Sequence, residues 1–246
     1  MARPWRRAAA RPAEEAAVRP RTAVELVDVS HTYGERTVLR DVSLVLAEHR
    51  VGVIGSNGSG KSTFARLLNG LVVPTSGRVL VDGLDTATDL RAVRRRVGFV
   101  FQDPDAQIVH PTVAEDVAFG LQNQRVPAPE RDERVAEVLA RYGLAGHADH
   151  PAHLLSGGQK QLLAIAGVLV MRPARVVFDE PTTLLDLANK RRVGHLIAEL
   201  GQDVVVVTHD LDMLADFDRV LVFDDGRVVA DGPPAESVAA YLARMA

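Results

Sequence analysis

The chain has 246 residues, of which 47% are hydrophobic and 25% charged, so it can bury one sizeable core with a smaller lobe attached. Its formal net charge is −3, but residues 1–22 hold six Arg against two Glu, which leaves the remaining chain at −7. Such an acidic body is a poor candidate for nonspecific nucleic-acid binding, so we expect no nucleic-acid partner. Cysteine is absent, which excludes a disulfide framework, a thiolate metal site and a cysteine nucleophile.

Two segments bear on how the chain meets a membrane. Residues 1–22 are rich in Arg, Ala and Pro and lack an apolar run, so we expect a disordered extension rather than a secretory signal; contact with anionic lipid is the alternative. The longest apolar run, residues 162–171, is well short of the roughly 20 residues that cross a bilayer. We therefore expect a soluble chain that is at most membrane-associated through a partner.

Short apolar runs near the start predict strands at residues 24–29, 38–46 and 51–54, and we expect them to form an antiparallel edge. A glycine-rich loop follows, and then a helix is predicted. Its apolar residues recur at the i, i+3, i+4 and i+7 positions of a helix packed on a sheet, with Asn69-Gly70 as its stop. These apolar residues are Phe64, Leu67, Leu68 and Leu71.

The rest of the chain predicts an α/β fold with an inserted helical lobe. The lobe, residues 104–167, shows no strand-like alternation, and one helix face carries Val135, Val138, Leu139 and Tyr142. Around it, continuous apolar strands alternate with helices, which indicates a parallel sheet covered on both faces. The strands are expected at 78–81, 97–101, 176–178, 204–207 and 219–223, and the helix between the last strands at 187–200. A hairpin at Asp225-Gly226 and a helix at 235–245 close one domain, residues 23–246.

The glycine-rich loop satisfies the Gly-x4-Gly-Lys-Ser/Thr pattern between a strand and a helix, the context that this pattern requires. Its members are Gly55, Ser56, Asn57, Gly58, Ser59, Gly60, Lys61, Ser62 and Thr63. Backbone N–H groups and the helix N-terminus would hold phosphate oxygens, Lys61 would reach the β and γ phosphates, and Ser62 would ligate Mg²⁺. Kinases and GTPases share such loops, so this motif alone indicates a nucleotide phosphate.

A second motif narrows the class. Residues Leu155, Ser156, Gly157, Gly158 and Gln159 open a helix and offer a second anion-binding helix terminus. One nucleotide in one chain does not need two such ends. With this motif the chain resembles the ABC ATPases, from residue 24 to residue 231. The resemblance implies a P-loop NTPase fold with a mostly parallel core sheet, an antiparallel β edge and the helical lobe inserted in a RecA-like core.

The resemblance also implies a dimer. In ABC ATPases two subunits pair head to tail, so Ser156 of one subunit would face the ATP held by Lys61 of the other. The second subunit is either the same chain or a related one.

Asp179 and Glu180 end an apolar strand and resemble the family's Walker B element. Asp179 would hold Mg²⁺ through its waters, and Glu180 would polarise the attacking water; a solvated turn is the alternative for two adjacent carboxylates taken alone. Arg175 occupies a position that is usually apolar in the family, which suggests an edge location for that end of the strand.

Four further residues match family positions. Gln102 matches the Q-loop glutamine, which senses Mg²⁺ and water and links to the membrane partner, and His209 matches the switch histidine, which contacts the γ-phosphate and orients Glu180. Asp186 sits at the D-loop aspartate, although the preceding residues differ from the usual wording. Tyr33 lies where an aromatic ring stacks on adenine, a contact of about 1 to 3 kcal/mol by analogy with base stacking. ATP rather than GTP rests on the resemblance.

Three histidines recur at spacing three: His147, His150 and His153. Their spacing, beside Asp149, raises a metal site as a hypothesis. Pro151 interrupts any helix through them, so they need not share a face. We favour a solvated loop.

Transport is favoured as the role of the ATPase. The coiled-coil insertion of repair ABC proteins and the second cassette of translation ABC proteins are not seen. Residues 102–108, 115–120 and 66–71 resemble the energy-coupling factor class of importers, which serve vitamin and cobalt or nickel uptake.

The importer resemblance implies membrane partners. Residues 105–120 would receive the coupling helices of a transmembrane scaffold protein, joined by a substrate-capture membrane protein, at the cytoplasmic face of the membrane. The chain ends just past the final hairpin and helix, which favours biotin over cobalt or nickel. A soluble ABC ATPase that acts as an assembly or scaffold factor is the alternative.

Overall fold

The computed structural model describes residues 23–245. The disorder expected for residues 1–22 lies outside the described residues. The strands are β1 (Val24–Tyr33), β2 (Arg36–Leu46), β3 (Arg50–Gly55), β4 (Ser76–Val81), β5 (Leu84–Asp85), β6 (Val97–Val100), β7 (Arg175–Asp179), β8 (Asp203–Val207), β9 (Arg219–Asp224) and β10 (Arg227–Gly232). The α-helices are α1 (Lys61–Leu67), α2 (Leu90–Arg96), α3 (Val113–Asn123), α4 (Ala128–Arg141), α5 (Gly157–Leu169), α6 (Leu187–Ala198) and α7 (Pro234–Met245).

Two sheets form the β part of the fold. Four antiparallel strands pair in the order β2-β1-β4-β5, and six strands pair in the order β10-β9-β3-β8-β7-β6, parallel except for the β9–β10 hairpin. The mostly parallel core sheet is therefore confirmed. The run at 51–54 belongs to β3 in the middle of this sheet, not to an antiparallel edge with its two predecessors. Its residues are buried on both faces, as the strands of a covered parallel sheet are.

Alternate residues along the core strands face two different apolar clusters. In β8, Val204 and Val206 pack with the cluster that includes α5, α6 and the helical lobe, whereas Val205 and Val207 pack with α1, α2 and the antiparallel sheet. This alternation explains why the strands read as continuous apolar runs.

The helical lobe contains α3, α4 and the start of α5, with two short 3₁₀ turns between α4 and α5. The face predicted for α4 is buried, with Val135, Val138, Leu139 and Tyr142 at most 8% exposed. Thr112 and Glu115 form a capping box that fixes the start of α3. The lobe thus places α5, and the motif at its N-terminus, against the core sheet.

Two further expectations are wrong. Leu71 lies beyond the end of α1 and is 38% exposed, because α1 ends at Leu67 and Gly70 adopts a φ of +68° that turns the chain. Arg175 is fully buried in β7, between β6 and β8, rather than at an edge. It is tolerated there because Asp203 of β8 lies opposite in register, with a carboxylate oxygen 3.4 Å from Arg175 Nη2.

Candidate functional site

The glycine-rich loop joins the end of β3 to the start of α1. Gly55 has a φ of +150°, and a Cβ there would lie 2.2 Å from the carbonyl oxygen of Phe223. Gly60 has a φ of +102°, and a Cβ there would lie 2.5 Å from the carbonyl oxygen of Val38. Any side chain at these two positions would push the loop off the backbone behind it. Between and after them lie the other predicted members, Ser56, Asn57, Gly58, Ser59, Ser62 and Thr63.

The loop is lined with donors. Lys61 is 5% exposed, and its Nζ donates to the carbonyl oxygens of Gly55 at 2.9 Å and Ser56 at 2.8 Å. Burial lowers the pKa of Lys61, and the carboxylates of Glu180 and Asp179 oppose that shift. Among the described residues, the buried hydroxyl of Ser59 has no hydrogen-bond partner. A cation at the start of a helix beside an unused hydroxyl suits an anionic ligand.

Ser62 and Asp179 come together although 117 residues separate them. The Ser62 hydroxyl donates to Oδ1 of Asp179 at 2.9 Å, and Arg66 Nη2 lies 3.8 Å from Oδ2. Burial raises the pKa of Asp179, while the Ser62 hydrogen bond and the Arg66 charge lower it. One hydroxyl and one carboxylate next to a phosphate-binding loop fit Mg²⁺, which takes few protein ligands alongside phosphate oxygens and water.

Glu180 follows in an unusual backbone conformation, with a φ of +50°. Its N–H donates to the carbonyl oxygen of Val207, which pins the residue to the end of β8. His209 Nε2 lies 2.9 Å from Oε1 of Glu180, and the Thr183 hydroxyl donates to Oε2 at 2.8 Å. Both carboxylate oxygens are therefore held. Thr183 was not predicted as a site residue from the sequence. The signal that could have indicated it is its position three residues after Glu180, across a turn.

Ser156 begins α5, as the helix-end prediction requires. Its hydroxyl accepts from the Gln159 N–H at 3.4 Å, and the Gln159 side chain accepts from the Ser156 N–H at 2.9 Å, a capping box. A Cβ on Gly158 would lie 2.3 Å from the side chain of Asn189, whereas Gly157 has open space around it. The glycines thus keep this helix end bare on one side and in contact with α6 on the other.

Asp186 begins α6 directly beside that helix end. Its carboxylate accepts from the Asn189 N–H at 2.8 Å and from Asn189 Nδ2 at 3.0 Å, and these hydrogen bonds lower its pKa. Lys190 then pairs with Asp210 at 2.9 Å, which ties α6 to the loop that carries His209. Asn189, missed from the sequence, therefore connects Asp186 with Gly158.

Tyr33 and Gln102 are exposed. Tyr33, 49% exposed at the end of β1, packs its ring edge-on to His31 with centroids 4.6 Å apart. Gln102 follows β6, and within residues 23–245 its side chain forms no hydrogen bond. The structure does not join either residue to the cluster around Asp179.

The three spaced histidines do not converge. The Nδ1 atoms of His147 and His150 lie 2.8 Å apart, and His147 Nε2 lies 3.0 Å from Gln159 Nε2, whereas His153 is exposed. Within the described part of the chain, no group of three or more His, Asp or Glu side chains could hold a metal ion. The metal hypothesis is not supported.

Taken together, a glycine loop with a buried lysine, a hydroxyl–carboxylate pair and a histidine-bound glutamate define a P-loop nucleoside triphosphate hydrolase. The family model for ABC transporters matches residues 39–183, more than half of the chain. The chain belongs to the ABC transporter ATP-binding family and is an ATPase of that family.

Relatives agree with this assignment. An ABC transporter ATP-binding protein of Deinococcus radiodurans is 64% identical over 222 residues, 90% of this chain and 98% of the relative. The biotin transport ATP-binding protein of Rhizobium etli is 49% identical over 210 residues, 85% of this chain and 93% of the relative. The structure of cbiO1 from Clostridium perfringens, part of the ABC transporter complex cbiONQ, aligns with a TM-score of 0.77 and 34% identity over 90% of this chain and 93% of that one.

Within residues 23–245, no helix is both long and apolar enough to cross a bilayer.

Proposed function

We propose that this chain is the ATP-hydrolysing motor of an energy-coupling factor importer for a vitamin, with biotin favoured, or for cobalt or nickel. The observation that carries the proposal is an exposed apolar surface where the membrane partner is expected. Val109 is 64% exposed and Phe119 41%, and the Phe119 ring lies against His110 with centroids 4.7 Å apart. Large apolar side chains left exposed close to one another are typical of a protein interface. Two of the named relatives, a biotin transport ATP-binding protein and a part of the ABC transporter complex cbiONQ, support the role of a transport motor.

The nucleotide is assigned to the loop and its neighbours. Lys61 and the N–H groups of the loop hold the phosphates, and Tyr33 supports the adenine ring. Ser62 and Asp179 would hold Mg²⁺, with Gln102 as a further ligand. Bound Mg²⁺ neutralises charge on the β and γ phosphates.

Glu180 is assigned as the residue that polarises the attacking water. Hydrogen bonds at both oxygens, from His209 and Thr183, fix the carboxylate and still leave lone pairs for a water molecule. His209 is 41% exposed at its side chain, so it can also contact a γ-phosphate. The φ of +50° at Glu180 costs about 1 to 3 kcal/mol by the usual scale for strained residues, which is typical of a functional position.

A second ABC subunit is assigned to the bare helix end of α5. Ser156 opens this helix, Asp186 lies beside it, and Leu184 and Leu187 on either side of Asp186 are each 63% exposed. A helix N-terminus that can bind phosphate, flanked by exposed leucines, suits burial against another subunit. Ser156 would then contact the ATP of that subunit.

Co-purification and uptake together test the proposal. The tagged chain would be isolated from detergent-solubilised membranes of its host, as wild type and with Phe119→Asp. The expected result is a transmembrane scaffold and a small substrate-capture protein with the wild type, and loss of both with Phe119→Asp. Leu242→Asp is the matched control, because Leu242 is also exposed (53%) but lies on α7.

Uptake identifies the substrate. Cells whose chain carries Glu180→Gln should lose uptake of labelled biotin and keep the protein assembly; loss of cobalt or nickel uptake alone would select the metal branch. Cytosolic partners only, with uptake intact, would reject the motor and support the soluble assembly factor.

A further inference from the structure

The loop that carries Gln102 is closed on itself by one side chain. β6 ends at Val100, and the next N–H, that of Phe101, donates to Oε1 of Gln107 at 3.1 Å. Between them, a 3₁₀ turn at Pro104–Ala106 is capped by Asp103, whose carboxylate accepts from the Asp105 N–H at 2.9 Å. Residues 101–107 therefore form a small ring that presents Gln102 at its edge.

The same glutamine fastens this ring to α5. Nε2 of Gln107 donates to the carbonyl oxygen of Ala164 at 2.8 Å, in the middle of the helix that Ser156 begins. Lys160, one turn into α5, pairs with Asp105 at 2.7 Å. Because Asp105 is 63% exposed at its side chain, that ion pair contributes little on its own. The half-buried Gln107 amide, bonded at both ends, is the stronger link.

Apolar packing between β6 and α5 accompanies these bonds. Gly98 faces Val168, where a Cβ would come within 2.4 Å of the Val168 side chain. Apolar contact of this kind is not directional. The two hydrogen bonds of Gln107 are directional and join a backbone group of the loop to a backbone group of the helix.

We propose that Gln107 is a positioning residue that makes the Gln102 loop and the α5 helix end move as one unit. Displacement of the loop then shifts Ser156 relative to the nucleotide of the second subunit, and closure of Ser156 on a phosphate in turn moves Gln102. The proposal rests on the roles given above to Gln102 and Ser156, but not on the identity of the membrane partner, since both ends of the link lie in this chain.

The amide chemistry allows the two bonds to be separated. Gln107→Glu keeps an oxygen for the Phe101 N–H but cannot donate to Ala164, whereas Gln107→Leu loses both bonds. Gln124, another half-buried glutamine, supplies matched controls as Gln124→Glu and Gln124→Leu.

The test measures ATP turnover of the purified full chain with Mg²⁺, together with amide hydrogen exchange of residues 101–107 and 156–160 with and without ATP. For Gln107→Glu we expect kcat about tenfold lower and KM for ATP within about twofold of wild type, because positioning and not binding is lost. The Phe101 amide should stay protected in Gln107→Glu and exchange faster in Gln107→Leu. ATP should change exchange in both segments of the wild type but only in 156–160 of Gln107→Glu.

Two outcomes would overturn the proposal: wild-type kcat with a joint response of both segments in Gln107→Glu, or faster exchange throughout that variant, which would indicate general destabilisation. Gln102→Ala separates failure of the coupling proposed for Gln107 from failure of the role proposed for Gln102. If it leaves kcat unchanged, the role of Gln102 fails, while the exchange comparison still decides whether Gln107 couples the two segments.

Discussion

The N-termini of α1 and α5, both proposed to bind phosphate, differ in how many contacts their residues make within the chain. Around α1, Lys61, Ser62 and Asp179 are bonded to neighbours in the same chain, and Glu180 is held by His209 and Thr183. Around α5, Ser156 is occupied by its own helix cap, and the surface beside it ends in exposed leucines. The residues proposed for hydrolysis are thus held within one subunit, whereas our proposal assigns the signature helix end to contact with a second one.

Of the changes considered, removing the charge of Glu180 should lower ATP turnover the most. Glu180→Gln should lower kcat for ATP by about 100-fold or more with little change in KM, because it removes the group that polarises water but not the phosphate contacts. Turnover of the purified chain measures this, and Glu133→Gln, exposed on α4, is the control. The same variant sharpens the comparison, since ATP that is bound but not hydrolysed should accumulate a dimer in light scattering. Wild-type turnover would remove Glu180 from its assigned role.

A smaller effect is expected from the support of Glu180. Thr183→Val removes the hydroxyl that donates to Oε2, and the loss of one such bond should lower kcat about fivefold at unchanged KM. Thr183→Ser restores the hydroxyl and should restore the rate. Wild-type turnover of Thr183→Val, with a loss confined to Thr183→Ser, would show that the methyl packing matters rather than the hydrogen bond.

The smallest effect concerns stability without nucleotide or Mg²⁺. Burial raises the pKa of Asp179 in the folded chain, so the folded state favours the protonated form, and ionisation destabilises it. This penalty is absent below the unfolded pKa of about 4 and grows as pH rises through the folded pKa. Asp179→Asn should therefore raise the free energy of unfolding at pH 7 and leave it unchanged near pH 3.

Urea unfolding at the two pH values measures the difference, with exposed Asp149→Asn as control. A destabilised Asp179→Asn chain at pH 7 would mean that the Ser62 and Arg66 contacts outweigh the burial of the charge.

Contiguous motifs were predictable from the sequence, and long-range contacts were not. The glycine loop and the α5 helix start were found because strand, turn and helix lie next to one another along the chain. Arg175 was misplaced because its burial depends on Asp203 in a neighbouring strand. Gln107 was missed because its partner Ala164 lies 57 residues away, and a glutamine in a polar loop carries no signal of such a bond. All the site-residue assignments, those of Lys61, Glu180 and Ser156 included, stay predictions, since no ligand contact tests them.

The need for a second subunit is tested most directly by a mixed dimer of one Lys61→Ala chain and one Ser156→Arg chain, isolated through two different tags. If the two helix ends meet across an interface, this dimer holds one intact composite site and should hydrolyse ATP at about half the wild-type rate, while each parent homodimer is inactive. A mixed dimer as inactive as its parents would contradict the composite site, as would full activity of the Ser156→Arg homodimer.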